Sequence, residues 1–341
     1  MDTSFATLNI DLPRAHVMLV TMNRPASANA MNSQLGTEIM TLFESLNLDA
    51  GDTRCIVVTG AGDRAFCAGA DLKIRCAMDT NFATLNIDRP RAHVMLVTLN
   101  RPASANAMNS QLGTEIMTLF ESLNLDAGDT RCIVVTGAGG RAFCAGADLK
   151  ERKDMTDEAW TKQHLIYERM VRAILGCPIP IIAAVNGAAY AGGCELALAC
   201  DFIYAAEHSR FALTEVTLGI MPGAGGTQTL ARAAGERRAK EIILTGKPFT
   251  AAEALQWGLV NRVLSRTDLL PEALSTAEVI ARNAPISVRQ AKQAITRGLN
   301  MSLSDGLVLE TEAYYRTIPT EDRREGITSF NEKRSPIFRG K

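Results

Sequence analysis

Two glutamates stand alone in apolar sequence. Glu195, in AYAGGCELALAC (189–200), is the only charged residue between positions 173 and 200. Glu215, in RFALTEVTLGIMPGAGG (210–226), is the only one between positions 211 and 231. Burying a carboxylate without a partner is costly and raises its pKa, so acidic residues in such runs are paired or functional. Each also adjoins a glycine-rich turn, which suits two carboxylates moving protons in an enclosed site. A helix cap or a distant arginine partner is the structural alternative. Gly192 and Gly193 stand where the helix carrying Glu195 should begin. Backbone N–H groups are free there and the helix end is partly positive, which favours an oxygen that turns anionic during reaction. A second glycine turn, AFCAGAD (142–148), follows the strand RCIVVTG (131–137) and can present another N–H. Two donors and two carboxylates suffice for enolate chemistry on an acyl group.

Other motifs carry less. Gly137, Gly139 and Ala142 match G-x-G-x-x-A after a strand, but another turn follows where a dinucleotide fold needs a long helix. PGAGGTQ (222–228) lacks the G-K-[ST] ending of a phosphate loop. No G-x-S-x-G elbow occurs. Cys194 has no histidine nearby in sequence to activate it and reads as a packed thiol. His164 and His208 are expected on helix or loop surfaces.

The elements that must position the glutamates alternate. Segments 82–88 and 93–100 read as strands, joined by a turn around Arg89 and Pro90. Asn109 or Ser110 caps a helix with Leu112, Ile116, Phe120 and Leu123 on one face. Strands are expected at 131–137, 180–187, 202–206 and 210–215, with a helix over 155–175. After Gly226 the pattern is mostly helical: 226–245, 250–258, 271–283, 287–298, 302–317 and 320–333. The fold class is therefore α/β, a mixed core over 78–270 followed by a helical region over 271–341.

Residues 1–77 and 78–154 are nearly the same sequence, differing at seven positions. The pairs are Ser4/Asn81, Leu12/Arg89, Met22/Leu99, Asp63/Gly140, Ile74/Glu151, Cys76/Lys153 and Ala77/Asp154. Two units do not make a solenoid, which needs about three. The span 78–341 reads as one protein and 1–77 as a partial duplicate. The first copy has its own AFCAGAD turn, with Ala68 as a second candidate donor, but no GGCELA or LTEV segment, so it cannot complete a site. Three fates are open to it: disorder, an incomplete appendage, or competition with 78–154 for the core. Residues 78–154 are expected in the core, because they run directly into the rest. Ile74, Cys76 and Ala77 also deny the first copy a charged helix start.

The chain has 341 residues, a formal net charge of −1 and 47% hydrophobic residues. A near-neutral chain without a basic block gives no electrostatic case for nucleic acid or an anionic membrane. No apolar run reaches the roughly 20 residues of a membrane helix. The first 20 residues show no signal-peptide pattern, so a cytoplasmic location is expected. The eight cysteines form no C-x-x-C pair and the four histidines are scattered, so neither a zinc site nor a disulfide framework is expected.

In order, AFCAGADLKE, PIIAAVNGAAYAGGCELALACD, LTEVTLGIMPGAGGTQTLAR and TIPTEDRREGITSFNEKRSP resemble the enoyl-CoA hydratases of the crotonase superfamily, over about residues 80–341. The resemblance implies a spiral of ββα turns with a helical C-terminal region, assembled as a homotrimer or a hexamer. It implies an acyl-CoA thioester substrate and no metal or other cofactor. Ala145 resembles the first oxyanion-hole residue and Gly192 the second. The turn Ala145, Gly146, Ala147 and Asp148 is the expected substrate-binding stretch. Glu195 and Glu215 resemble the two catalytic glutamates, Glu195 deprotonating water for attack at C3 and Glu215 supplying the proton to C2. On this reading Glu195 is isolated because substrate and water are its partners. The implied activity is hydration of trans-2-enoyl-CoA in fatty-acid or amino-acid β-oxidation. A methylglutaconyl-CoA-type hydratase, or another lyase or isomerase of the superfamily, is the alternative among enzymes. A catalytically silent scaffold or RNA-binding protein is the alternative of another class, and retention of both glutamates counts against it.

Overall fold

The repeated segment folds the same way both times. In the computed structural model, which describes residues 5–71 and 82–341, the first copy forms strands β1 (Leu8–Arg14) and β2 (Val17–Met22), helix α1 (Ser33–Leu48) and strand β3 (Cys55–Gly60). The second forms β4 (Leu85–Arg91), β5 (Val94–Leu99), α2 (Ser110–Leu125) and β6 (Cys132–Gly137). Ile74, Cys76, Ala77 and the junction at Met78 lie outside the described residues, and with them the argument about a helix start. Asn32 and Asn109 cap their helices, accepting the N–H groups of Leu35 and Leu112 at 2.8 and 3.0 Å. The expected turn at Arg89 and Pro90 lies further on. Strand β4 runs through the proline to Arg91 over an irregularity between Asp88 and Arg91, and the chain reverses at Ala92 and His93, where φ is 61°. A break in the ladder is where a strand tolerates a residue without an N–H.

The chain divides into two compact units, Met1–Ala77 and Met78–Lys341. In the second, β6 is followed by β7 (Ala142–Cys144), α3 (Leu149–Arg152), α4 (Asp157–Leu175), β8 (Ile181–Val185), β9 (Ala188–Tyr190), α5 (Gly192–Ala199), β10 (Phe202–Ala206) and β11 (Arg210–Ala212). Then come α6 (Gly226–Ala234), α7 (Glu236–Thr245), β12 (Phe249–Thr250), α8 (Ala251–Gln256), β13 (Arg262–Leu264), α9 (Leu269–Arg282), α10 (Pro285–Gly298), α11 (Leu303–Tyr315) and α12 (Glu321–Asn331). The helix expected over 226–245 is two helices, separated at Gly235, whose φ of 79° no helix interior accommodates. The strand expected over 210–215 stops at Ala212, and Glu215 opens a short 3-10 turn, Glu215–Leu218.

Two sheets result, in the orders β13-β10-β8-β6-β5-β4 and β12-β11-β9-β7. Each turn lays one strand in the larger sheet (β6, β8, β10), then a short one in the smaller sheet (β7, β9, β11). It then returns through helical segments, which gives the expected ββα spiral. The pairings between successive turns are parallel. Alternate residues of a strand face opposite sides. Ile133 and Val135 join the main core, while Cys132 and Val134 meet Leu269, Ala273 and Ala277 of α9 on the other face. Both faces of β6 are covered, which is why CIVVTG reads as an unbroken apolar run. The identical residues of β3 lie at a sheet edge. Ile56 packs against a small core of Leu8, Val20, Leu35 and Leu42, but Val57 is 45% exposed and Val58 39%.

Asn106 ties the site-bearing turns together. It is fully buried, accepts the Arg101 N–H at 3.0 Å, and donates to the carbonyls of Ala138 and Ala142 at 3.0 and 2.9 Å. Asn106→Ala would leave three backbone groups unmatched, one buried and two half-buried, and is expected to cost about 3 kcal/mol. The chain's two tryptophans, Trp160 and Trp257, both lie in the second unit, so tryptophan fluorescence in urea reports that unit's unfolding. A loss below about 1 kcal/mol would refute this role for Asn106.

Candidate active site

Two backbone turns meet where α5 begins. Gly146 has φ +92°, and a Cβ there would lie 2.8 Å from both the Ala191 Cβ and the Tyr190 carbonyl. A Cβ on Gly193 would lie 2.0 Å from the Cys144 carbonyl oxygen. Only glycines allow the start of α5 to pack this closely on the turn after β7. Ala191, between them, has φ 50°, a strained backbone for alanine and one that accumulates at functional sites.

This packing sets which N–H groups are free. Met108 forms a bridge with Ala147, donating its N–H to Gly146 O at 2.7 Å and accepting the Asp148 N–H at 2.8 Å. Ala147 therefore turns its own N–H the other way, and it has no hydrogen-bond partner among the described residues. Its nitrogen lies 4.0 Å from the position a Gly192 Cβ would take. The Gly192 N–H is likewise without a partner among the described residues, as a helix start allows. Ala145, expected as the first donor, already donates its N–H to Ala105 O at 3.1 Å. The free pair is Ala147 and Gly192, which corrects the sequence assignment by two residues. Asp148 is also structural here: its carboxylate pairs with Arg101 at 3.0 Å and caps α3 through the Lys150 N–H. Gly146 and Asp148 build the turn, while Ala145 and Ala147 line the cavity.

The cavity has a volume of about 590 Å³, and both glutamates line it. Glu195, in the first turn of α5, is buried, and its Oε1 accepts the N–H groups of Ala224 and Gly226, both at 2.8 Å. A Cβ on Gly226 would sit 2.9 Å from that oxygen. The PGAGG turn, dismissed above as a failed phosphate loop, is thus a backbone clamp on a carboxylate. Glu195 is not isolated from the protein, as its sequence suggested; its partners are main-chain groups. Burial raises its pKa and the two N–H groups oppose the rise. Glu215 is buried too, though less deeply, and neither of its side-chain oxygens has a hydrogen-bond partner among the described residues. Burial, with the Glu195 charge adding to it, pushes its carboxyl up to about 7. One acid is held by two main-chain donors that favour the anion, and the other meets no donor beyond its own backbone N–H, which separates their protonation roles. Cys194 is buried and its thiol is raised by burial, in keeping with a packed side chain.

Helix α4 supplies a wall that sequence reading missed. Trp160, His164, Tyr167 and Met170 line the cavity, with Arg152 from α3 and Met221 from the loop before α6. His164, expected on a helix or loop surface, is indeed half-exposed on α4, and its side chain lines the cavity 3.4 Å from Glu168. The signal available was the helical spacing of Trp160, His164, Tyr167 and Met170, but what faces that stripe is set by tertiary packing.

Glycine-tethered N–H donors facing two buried carboxylates on a ββα spiral define an enzyme of acyl-thioester chemistry. The profile of the family described as Enoyl-CoA hydratase/isomerase matches residues 13–87 and again 89–341, so the chain belongs to that family. The putative enoyl-CoA hydratase/isomerase YngF of Bacillus subtilis is 45% identical over 73% of this chain and 95% of its own length. The short-chain-enoyl-CoA hydratase of Clostridium acetobutylicum is 40% identical over 71% of this chain and 92% of its own. The crystal structure of an enoyl-CoA hydratase from Bacillus anthracis superposes with a TM-score of 0.74 at 44% identity, covering 76% of this chain and all of that one. Among the described residues, no helix is long and apolar enough to cross a membrane.

Proposed function

We propose that this protein adds water across trans-2-enoyl-CoA thioesters to give 3-hydroxyacyl-CoA, as a step of fatty-acid or amino-acid β-oxidation. The thioester oxygen accepts the N–H groups of Ala147 and Gly192, which polarises the enoyl group and stabilises the enolate that follows. Glu195, its carboxylate favoured by the Ala224 and Gly226 N–H groups, takes a proton from the attacking water as the oxygen bonds to C3. Glu215 gives its proton to C2, and a proton passing from Glu195 to Glu215 restores the pair. The observation that carries this reading is the unequal treatment of two buried acids in one cavity. The wide exposure of Leu299, Leu303 and Phe330 in the C-terminal region (81–82% each) supports self-association into the implied trimer or hexamer. No metal or cofactor is needed for these steps.

The test is loss of the enoyl-thioester absorbance of crotonyl-CoA with the full chain, and with residues 78–341 alone beside it. Turnover by both is expected. Turnover by the shorter chain alone would keep the chemistry and assign the first copy an inhibitory effect. No turnover by either, with both folded, would sink the reading.

A further inference from the structure

Tyr167 stands midway along α4, lines the cavity and is only 5% exposed. Its hydroxyl donates to the Met108 carbonyl at 2.8 Å. That carbonyl also accepts the Asp148 N–H, while the Met108 N–H holds Gly146 O. Met108 is thus the rail that carries the turn with the free Ala147 N–H, and Tyr167 fastens the rail to α4. Burial pushes the phenol pKa up, so the hydroxyl stays a donor. One turn earlier, Gln163 donates to Ser110 Oγ at 2.9 Å, which fixes the start of α2 to the same helix. The ring comes this close because residue 113 has no side chain: a Cβ on Gly113 would lie 2.6 Å from Tyr167 Cε1. The first copy is an internal comparison. Met31 makes the same two bonds there, at 2.7 and 2.9 Å, with no side-chain donor on its carbonyl among the described residues. It is 38% exposed, against 2% for Met108, and a Cβ on Gly36 would meet nothing nearer than Met31 Sδ at 4.0 Å. The bridge therefore folds without a tyrosine, and what Tyr167 adds is a fixed place for it in the cavity. Helix α4 also touches the clamp on Glu195. A Cβ on Gly223 would lie 2.5 Å from His164 Cε1, and one on Gly225 would lie 3.3 Å from Val171 Cγ1. His164, Tyr167 and Val171 share one face of α4 by helical spacing, so a single helix face spaces the oxyanion turn from the carboxylate clamp.

We propose that Tyr167 is a positioning residue for the oxyanion donor: its hydrogen bond to Met108 holds the Ala147 N–H at a set distance from the Glu195 clamp, across α4. The proposal rests on the hydratase reading and deepens it. The thioester oxygen must meet the Ala147 and Gly192 N–H groups while C3 faces the water on Glu195. Preorganised donors stabilise developing charge only where they are aimed. Without the hydroxyl the turn keeps its own bonds to Met108, but turn and bridge together are free to shift against α4. The loss then falls on the transition state, and substrate binding changes little.

The experiment uses the full chain, with Tyr167→Phe, Gly113→Ala and the double variant. Phenylalanine keeps the ring and drops only the hydroxyl, whereas alanine at 113 displaces the ring and keeps the hydroxyl. One readout is kcat and KM for crotonyl-CoA. The other is the enolate absorbance of bound acetoacetyl-CoA at fixed pH, because that enolate places negative charge on the thioester oxygen without turnover. Tyr167→Phe should lower kcat about 10-fold, the scale of one buried hydrogen bond, with KM changed less than about threefold. The ratio of enolate to keto form should fall with kcat. Gly113→Ala should act in the same direction, which also covers a poorly folded phenylalanine variant. The double variant should lose no more than the larger single loss, since both changes act through one contact. A phenylalanine variant that is weaker in urea but keeps kcat and the enolate ratio would overturn the proposal, leaving the tyrosine a contact for stability only. So would a rise in KM alone, which would make it a wall against the acyl chain, or losses that multiply in the double variant. Wild-type turnover with neither readout changed by Tyr167→Phe refutes the proposal alone. A fall in the enolate ratio with no hydration by the wild type refutes the hydratase reading alone.

Discussion

Glu195→Gln is expected to lower kcat for crotonyl-CoA hydration by about 10³-fold or more, with KM changed only a few-fold. The amide has the size of the carboxylate, and its oxygen can still accept the Ala224 and Gly226 N–H groups that hold Oε1 now. The clamp therefore survives, α5 keeps its place, and only basicity is lost. An interaction made mainly in the transition state shows itself as equal losses in kcat and kcat/KM. Steady-state kinetics with circular dichroism on the same samples decide the matter. A folded variant within tenfold of the parent would remove Glu195 from the proton transfer.

The second large effect is at Glu215, where activity and stability should move in opposite directions. Glu215→Gln removes the proton donor to C2 and should cost about 10²- to 10⁴-fold in kcat. It should also stabilise the protein at alkaline pH. The carboxyl titrates near 7 in the folded state against an ordinary 4.5. Between those values the folded state binds more protons than the unfolded one, so stability falls as pH rises through this window. Above it the fold carries the whole cost of an unmatched carboxylate, about 3 kcal/mol at 1.36 kcal/mol per pKa unit. A neutral amide avoids that cost but leaves its own polar atoms short of partners. A net gain of about 2 kcal/mol at pH 8, vanishing toward pH 4.5, is therefore expected from urea unfolding followed by tryptophan fluorescence. A pH-independent difference would show that Glu215 is not held protonated by burial.

Both glutamates were legible in the sequence because a lone charge in an apolar run has few bland explanations. The α2 face of Leu112, Ile116, Phe120 and Leu123 was legible for a similar reason, since all four side chains are buried where the spacing put them. The N–H donors were harder to read. A backbone N–H carries no residue signature, and choosing Ala147 over Ala145 depends on Ala105 taking the Ala145 N–H while the Met108 bridge leaves that of Ala147 free. The same holds for the clamp on Glu195, made by Ala224 and Gly226 across 29 and 31 residues of chain. The cavity role of Arg152 and of the half-exposed His164 was hidden differently. Both are charged or polar on short-range pattern, and only the packing of α3 and α4 brings them to the cavity.

The two settings of the segment CIVVTG impose unequal demands on the same six residues. A charged residue at Val135 would lie in the main core, which that side chain leaves only 2% exposed, whereas at Val58 it would meet water. Arg89 binds Asp129 and Thr130 in the second copy, while its counterpart Leu12 is 70% exposed. Strand β6 is flanked by β8 in its sheet and covered by α9 on one face, and β3 has no such neighbours in its own sheet. A polar or charged side chain is therefore tolerated at 57 and 58 and excluded at 134 and 135, although the two segments are identical in sequence.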